Sequence, residues 1–563
     1  MQMLLTKINR PEGFLTGALL LFIIVLPLLL CRYTNSFGAW IPLVVITVAA
    51  SIIAYAQLCQ SNSFRINTAD ILLISYCLYA IARLLFSKAC FTEHLTFIKW
   101  FLLVLLYVIG RTSNKNIIPS LLITIGMSGV LAYLFGFFFN SGHLGAYVSI
   151  SVSGVLGLAL EQKNRKLGQI LLASLSILLL VILLLSRSRG ALLAALLAAA
   201  YLLFSSQGFK NMGIDRKRMV YASLAVIVII VVALLYKFRP GSADVRLLIW
   251  SASGEAFLKA PLFGYFSGAV QSLYMPWQAD FFQTHPLSSL APLATNHYQT
   301  FNEYLHLLCE QGIVGFLLFA LFVVFAFKKS KNRSLNAASI ALGVSSFFLY
   351  TYDIIPIIVL VPLFLGLANN ACIVNDIPKR KQSKPIVILS GVAVLIAISI
   401  VCWAVGKKYY STEKELRGFI HLPEDTIADR ISPSSEDVVF KNKDMTLLYA
   451  THSFKLSKPD HITVLEQCSK RIIVVEMMSS LGNLYSENSL MDKAESCFVA
   501  AYYMAPDRMM PKYDLFKFYR DNGNNEKAKE WAEIIIASSP RIYNAITLEI
   551  KATARDFINS RIE

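Results

Sequence analysis

Apolar stretches of about 20 residues recur through the first 405 positions of this 563-residue chain. A run of that length is what a helix needs to cross a hydrocarbon layer of about 30 Å. The bilayer interior offers backbone amides no water. A chain patterned this way is therefore confined to helices that satisfy their own hydrogen bonds. The average composition agrees: 56% of residues are hydrophobic and the mean hydropathy is +0.57. The runs fall at 14–30, 38–58, 70–86, 95–109, 117–138, 143–160, 168–185, 190–205, 219–236, 311–327, 335–351, 354–374 and 386–405, thirteen in all, with 335–374 open to another division. The first run lacks a small-residue cleavage site and is followed by further spans, so it reads as a retained helix rather than a signal peptide. The expected fold class is all-α, a polytopic membrane protein with about thirteen transmembrane helices.

The loops between runs alternate in basic content. One set holds Lys7 and Arg10; Arg65; Arg111 and Lys115; Lys163, Arg165 and Lys166; Lys210, Arg216, Lys217 and Arg218; Lys328, Lys329, Lys331 and Arg333; and Lys379, Arg380, Lys381 and Lys384. The intervening set is nearly free of Lys and Arg. The positive-inside bias puts the first set in the cytoplasm, the N-terminus with it, and everything after about residue 406 outside. These loops hold most of the basic excess behind the net charge of +17, which removes the reason to read nucleic-acid binding into it. The nine cysteines show no metal-ligand spacing and no disulfide framework. Neither a metal nor a cofactor is expected.

Two outside segments are long. Residues 237–310 are rich in Pro, Tyr, Trp and Phe, too aromatic for disorder, and should fold against the membrane surface. Residues 406–563 are polar and helical in pattern. Within them LGNLY (481–485) returns as LFKFY (515–519), and MDKAE (491–495) as NEKAK (525–529). Tyr485/Tyr519, Ala494/Ala528 and Pro506/Pro540 are each 34 positions apart. That period, with Ala at a helix crossing and a closing Pro, is the tetratricopeptide pattern, with repeats at about 481–508 and 515–542. A generic helical bundle is the alternative. A protein partner would be the usual ligand of such a module. The division is then a transmembrane domain, 1–405, and an outside helical domain, 406–563.

LLLSRSRGALLA (183–194) puts Arg187 and Arg189 between two apolar runs, on the face that basic residues avoid. A cation at the hydrocarbon edge costs a few kcal/mol unless it snorkels or is paired. Snorkelling to lipid phosphates is one reading. An anion site is the other, since a guanidinium grips phosphate oxygens with two parallel bonds. The long loop repeats the theme. Arg246 sits one turn before Trp250 in RLLIW, and ATNHYQTFNEYLHLLCEQGIVGF (294–316) brings His297, Asn302, Glu303, His306 and Glu310 toward the tenth span. If that stretch is helical, His297 and Phe301 occupy the turn before Asn302. Histidine, carboxylates and arginines over a membrane surface suggest transfer chemistry on a lipid-linked phosphate.

Taken together, SRSRGALLA, Arg246-x-x-x-Trp250, PLFGYFSG (261–268) and NEYLHLLCEQGIVGF (302–316) resemble the O-antigen ligase superfamily over roughly residues 70–375. The superfamily comprises lipopolysaccharide O-antigen ligases, O-antigen polymerases and bacterial protein O-oligosaccharyltransferases. The resemblance implies a bacterial inner-membrane enzyme that takes a glycan from undecaprenyl pyrophosphate at the periplasmic face and transfers it to an acceptor hydroxyl, with no metal required. The acceptor is lipid A core, a growing O-antigen chain, or a protein Ser/Thr. Arg189 and Arg246 match the arginines that hold the pyrophosphate, and Arg187 is an additional candidate. The family often has His directly before the Asn of its N-x-x-L helix, where this chain has Phe301. His297 is the leading substitute as base, His285 and His306 are the others, and a mechanism without a histidine base stays open. Asp353, beside Tyr350 and Tyr352, would orient the histidine or acceptor, or simply cap a helix. From other classes, a transporter of lipid-linked glycan would place charges mid-membrane, and a scaffold would leave the outside arginines without a purpose.

Overall fold

The computed structural model describes residues 40–60, 66–86, 94–113, 115–138, 140–162, 166–238, 240–328, 330–370, 385–423, 438–539 and 543–560, with Ile24, Leu28 and Glu436. The expected span at 14–30, apart from Ile24 and Leu28, lies outside them. So do the end of the span at 354–374 and the basic residues Lys7, Arg10, Arg65, Lys163, Arg165, Lys329, Lys379, Arg380, Lys381 and Lys384. Every regular element among the described residues is helical.

The membrane part is built from α1 (Trp40–Gln60), α2 (Thr68–Phe86), α3 (His94–Thr112), α4 (Ile118–Leu134), α5 (Ser141–Glu161), α6 (Lys166–Leu185), α7 (Arg189–Phe204) and α8 (Ile214–Phe238). Then come α9 (Pro240–Lys259), α10 (Ala269–Thr284), α11 (Glu303–Phe327), α12 (Arg333–Phe348), α13 (Leu360–Asn369) and α14 (Pro385–Ile420). Among the described residues, six helical segments are long and apolar enough to cross a bilayer: Leu95–Thr112, Lys115–Leu134, Ser141–Glu161, Lys166–Leu185, Glu303–Phe327 and Ala393–Ile420. Leu43–Tyr55, Arg189–Phe204 and Ile355–Asn369 are apolar but shorter.

α5 is the hub of the bundle, with 83% of its apolar window buried. Lipid gives two apolar helices no hydrophobic reason to associate, so close packing of small residues carries the contact. Along α5 the small residues do this. A Cβ on Gly157 would lie 2.7 Å from the Ser334 backbone on α12, and the Ser149 and Ser345 hydroxyls meet at 3.2 Å. The α3–α13 crossing follows the same rule, since a Cβ on Gly110 would reach the Leu363 carbonyl at 2.5 Å. Beside that crossing a polar knot is buried. Asp70 accepts from Tyr107 Oη at 2.6 Å and from Asn369 Nδ2 at 3.1 Å, and pairs with Arg111 at 3.4 Å.

Residues 237–310 are two helices, α9 and α10, and an extended strap, 294–302, leading into α11. α14 carries straight across position 405 and runs 36 residues to Ile420. The tail continues as α15 (Lys443–His452), α16 (Lys458–Arg471), α17 (Val475–Glu487), α18 (Met491–Met504), α19 (Met509–Asp521), α20 (Asn525–Ala537) and α21 (Ala545–Asn559). α19 starts 34 positions after α17, and α20 starts 34 after α18. Ala494 and Ala528, in the second helix of each pair, are fully buried. The first pair closes tightly, because a Cβ on Gly482 would strike the Phe498 ring at 2.5 Å.

The tail lies on the α9–α10 region. Val475, Ala501, Met504 and Ala505 share one apolar core with Val270, Tyr274 and Phe282. Arg471 Nη1 donates to Ser272 Oγ at 2.6 Å.

Candidate functional site

The starts of α5, α7 and α11 and the ends of α6 and α12 come together at one end of the bundle, beneath α9 and the strap. Gly190, which opens α7, is pressed against Phe348 at the end of α12, where a Cβ would lie 2.8 Å from the Phe348 Cβ. Gly145 sits equally close to Ser186 and Ser188. These contacts fix the turn that carries Arg187 and Arg189. Arg187 occupies the turn with φ +52 and is exposed. Arg189 is the first residue of α7 and half-buried.

Arg246 comes to the same place from α9. It is half-buried, its Nε is buried without a hydrogen-bond partner among the described residues, and its guanidinium lies 5.8 Å from the centre of the Phe301 ring. Burial pulls its pKa below the ordinary arginine value, and the nearby Arg189 cation adds to the pull. Two guanidiniums that repel each other at a half-buried site lower each other's energy only when an anion joins them.

Phe301 is the centre of an aromatic chain. It meets Tyr350 at 5.2 Å, Tyr350 meets His143 at 4.8 Å, and His297 lies 6.5 Å from Phe301, all edge-on. Phe301 has φ +51, a conformation that an L side chain adopts at a cost and that clusters at functional sites. The expected helical turn before Asn302 is thereby corrected. His297 and Phe301 lie on an extended strap that reverses at Phe301, and helix begins only at Glu303.

His297 is partly buried. Its Nε2 bonds the Thr295 hydroxyl at 2.9 Å, and its backbone N–H points to Met275 Sδ at 3.5 Å. Burial pushes its pKa down to about 4, so the imidazole is neutral in the physiological range. Asp353 sits at the rim with a side chain about one-third exposed, 3.4 Å from Lys99 Nζ, and accepts a hydrogen bond from Gln299 Nε2. Burial raises its pKa, but the Lys99, His306 and Lys443 cations outweigh that and hold the carboxylate below its ordinary value.

The other expected site residues are placed differently. Asn302 is buried and caps α11, its Oδ1 accepting from Tyr304 N at 3.0 Å and Leu305 N at 3.1 Å. Glu303 is buried and accepts from Tyr352 N at 2.7 Å, which fixes the Thr351–Asp353 turn. His306 Nε2 pairs with Glu310 at 3.2 Å, and Glu310 also accepts from Gly268 N at 2.8 Å, which ties α11 to PLFGYFSG. His285 is exposed, stacked on Phe281 at 4.7 Å and 3.7 Å from Glu255, in a shallow depression with Leu247 and Ser251.

PLFGYFSG and the C-E-Q-G turn of α11 form one lock. Gly312 breaks α11 with φ +65, and the freed N–H groups of Ile313 and Val314 donate to the Pro261 and Leu262 carbonyls at 2.9 and 3.2 Å. Tyr265 N donates to Cys309 O at 2.9 Å. Gly264 has φ +68, and a Cβ there would meet the Cys309 carbonyl at 2.6 Å. Arg83 Nη2, at the end of α2, donates to the Gly264 and Tyr265 carbonyls at 3.0 and 2.9 Å.

Residues 174–320 match the family model described as O-antigen ligase. That stretch is similar to O-antigen ligase domains. The matched stretch begins inside α6 and ends inside α11, and so contains Arg187, Arg189, Arg246, His297 and the Gly264–Gly312 lock; Asp353 and the tail lie beyond it. No curated protein matches the chain.

Sequence reading missed three neighbours of this site. His143 is buried against Tyr350, with its Nε2 unpartnered among the described residues. Lys99 was visible as a charge inside an apolar run, which is itself a functional flag. Gln299 carried no local signal, because its role depends on Asp353 arriving from 54 residues away.

Proposed function

We propose that this chain transfers a glycan from undecaprenyl pyrophosphate to an acceptor hydroxyl at the periplasmic face of a bacterial inner membrane, in the manner of O-antigen ligases. The match over residues 174–320 supports a glycan-transferring activity of this class. The observation that carries the reading is Arg246, a half-buried guanidinium next to Arg189, with its Nε buried and unpartnered under Phe301. A buried guanidinium nitrogen calls for an acceptor, and a pyrophosphate oxygen supplies one together with the charge that offsets the Arg189–Arg246 repulsion.

In the proposed reaction the acceptor hydroxyl attacks the anomeric carbon from the face opposite the pyrophosphate. The new C–O bond forms as the bond to the bridging oxygen breaks, and the leaving pyrophosphate keeps the electron pair. The configuration inverts. Arg189 and Arg246 neutralise the charge that grows on the leaving group, and Arg187, exposed on the same turn, meets the lipid-linked substrate first. His297 accepts the hydroxyl proton. The tautomer that donates Nε2–H to Thr295 leaves Nδ1 as the accepting nitrogen. Burial keeps that nitrogen unprotonated but weakly basic, so it orients the hydroxyl and takes its proton late, once the forming bond has acidified the oxygen. Asp353 borders the acceptor side through Gln299. The 34-residue recurrence of the tail helices supports a tetratricopeptide-like module on the same face.

The test is a product analysis. The gene is deleted in its host, lipopolysaccharide is followed by gel and envelope glycoproteins by mass spectrometry. Loss of glycan from lipid A core marks a ligase, single-repeat chains a polymerase, and loss from Ser/Thr a protein oligosaccharyltransferase. An unchanged envelope in a strain without redundant enzymes removes the reading.

A further inference from the structure

The strap that carries His297 is held along its length, and much of the hold comes from the C-terminal tail. Residues 294–302 have no helix or strand of their own, so their backbone conformation must be fixed from outside. Asn296, immediately before His297, is gripped by the first turn of α17. Its Nδ2 donates to Glu476 Oε2 at 2.6 Å, and its Oδ1 accepts from Val475 N at 3.3 Å. The Glu476 carboxylate is itself fixed by Arg508 Nη1 at 2.5 Å, from the start of the second helix pair. Gln278 on α10 joins the two parts again, since its Nε2 donates to Thr295 O at 3.2 Å and to Met504 O at 2.6 Å. Immediately after His297, Tyr298 packs into the core of the tail, with Lys443 Nζ 5.2 Å over its ring. The rest of the strap belongs to the membrane part: Gln299 bonds Asp353, and the Thr300 carbonyl accepts from Trp250 Nε1 at 3.0 Å.

We infer that the tail is a working wall of the transfer site, with Glu476 and Asn296 as positioning residues that set where the His297 imidazole stands relative to Arg246. The inference rests on the reading above for what His297 does. Three residues of the strap, 295, 296 and 298, contact the tail directly or through Gln278, and they flank His297 on both sides. Within the membrane part His297 is held loosely: its backbone N–H points to Met275 Sδ at 3.5 Å, and its ring meets Tyr274 and Phe301 edge-on at 6.0 and 6.5 Å. Such edge contacts leave the strap free to shift, and a shift of about 1 Å in a reacting group costs on the order of 100-fold in rate. The repeats are therefore engaged inside the molecule, through the first turn of α17 and the end of α18, before any outside partner arrives.

The experiment uses the full chain in lipid nanodiscs, with the lipid-linked glycan fraction extracted from its own deletion host as donor. Glu476→Ala, Glu476→Gln, Gln278→Ala and Arg246→Ala are compared by backbone amide exchange across 294–302 and by transfer rate. Glu476→Ala and Gln278→Ala should speed exchange of the strap amides about tenfold and lower kcat by roughly ten- to a hundredfold, with the donor KM unchanged. Glu476→Gln keeps an acceptor for Asn296 Nδ2 and should restore most of both. Unchanged exchange in Glu476→Ala and Gln278→Ala overturns the inference, as does faster exchange with an unchanged kcat, or a Gln variant no better than Ala. Arg246→Ala separates the two failures. If it keeps full transfer, the role given to Arg246 falls; if the parent chain itself transfers nothing, the glycan-transfer reading falls, while the exchange data still decide whether the tail holds the strap.

Discussion

Replacing Arg246 by Ala should separate activity from stability. Among the described residues the guanidinium stands over the Phe301 ring at 5.8 Å, and its Nε has no partner to lose. A cation–π contact at a half-buried position contributes about 0.5–1 kcal/mol. Against it stand the burial and the Arg189 repulsion that pull the Arg246 pKa down, both of which disfavour the charged form and disappear with the side chain. The two effects oppose, so stability should change by less than about 1 kcal/mol, a melting shift of about a degree in a chain of this length. The transition state has no such compensation. Removing one preorganised donor to a developing anion typically costs about 100- to 1000-fold, or about 2.7–4 kcal/mol. Arg246→Lys keeps the charge but loses the planar two-pronged grip, so it should recover only part of the rate. Thermal melting and transfer by the same nanodisc preparation test this together. A large fall in melting temperature that tracks the loss of activity would make Arg246 a structural residue and refute the reasoning, as would full activity in the Ala variant.

Three further perturbations follow from the same geometry. Gly312→Ala forces an L side chain to φ +65, about 1–2 kcal/mol, and drives a Cβ into the Leu262 backbone, about 1–3 kcal/mol more, so thermal melting should show a loss of roughly 2–5 kcal/mol. His297 has a folded pKa of about 4, below its ordinary 6.5, so its contribution to stability is complete above pH 6.5 and is lost as pH falls toward 4. His297→Gln should flatten the fall in melting temperature across that window, and an unchanged slope would show that His297 is not buried neutral. Asp70→Ala removes the carboxylate from a pair that is 4–5% exposed and should cost about 3–5 kcal/mol, whereas Asp70→Leu with Arg111→Leu should come close to the parent in the same assay.

Patterns with a fixed period were legible in the sequence, and contacts between distant segments were not. The apolar runs anticipated α3 to α6 within a few residues, because a bilayer imposes length directly, whereas α11 begins at Glu303, well before its run at 311–327. The 34-residue recurrence returns as the spacing from α17 to α19 and from α18 to α20, although α17 and α19 begin before the expected repeat starts at 481 and 515. At the site, the charge pattern picked out Arg189 and Arg246, since cations on an uncharged face are conspicuous. Asn302, Glu303 and His306 looked equally chemical and proved to be a cap, a turn anchor and a link to PLFGYFSG. Polar residue types do not reveal whether their partner will be a substrate or the next loop. The reversal at Phe301 left no trace either, because a left-handed residue is normally announced by Gly or Asn and here is a phenylalanine.

That phenylalanine is the most informative departure from the superfamily pattern, which often has histidine at this place. The structure explains what the exchange achieves. At φ +51 the side chain is thrown back over Arg246, and a benzene ring there offers its negative face to the guanidinium. An imidazole in the same position would be a poorer face when neutral, and when protonated it would add a third cation beside Arg189 and Arg246. Phe301→His should therefore raise the donor KM several-fold at pH 8, where the neutral ring is the poorer face, and less at pH 6, where the imidazolium is a further cation for the anionic donor to pair with. His297 should remain necessary in that variant. If Phe301→His instead raised kcat and made His297 dispensable, proton removal would be the limiting step, the base would belong at position 301, and His297 would be a structural neighbour of Thr295 and Tyr274. The double variant Phe301→His/His297→Gln decides between the two outcomes. An inactive double variant keeps the base at 297 and leaves Phe301 as the lid of the arginine clamp.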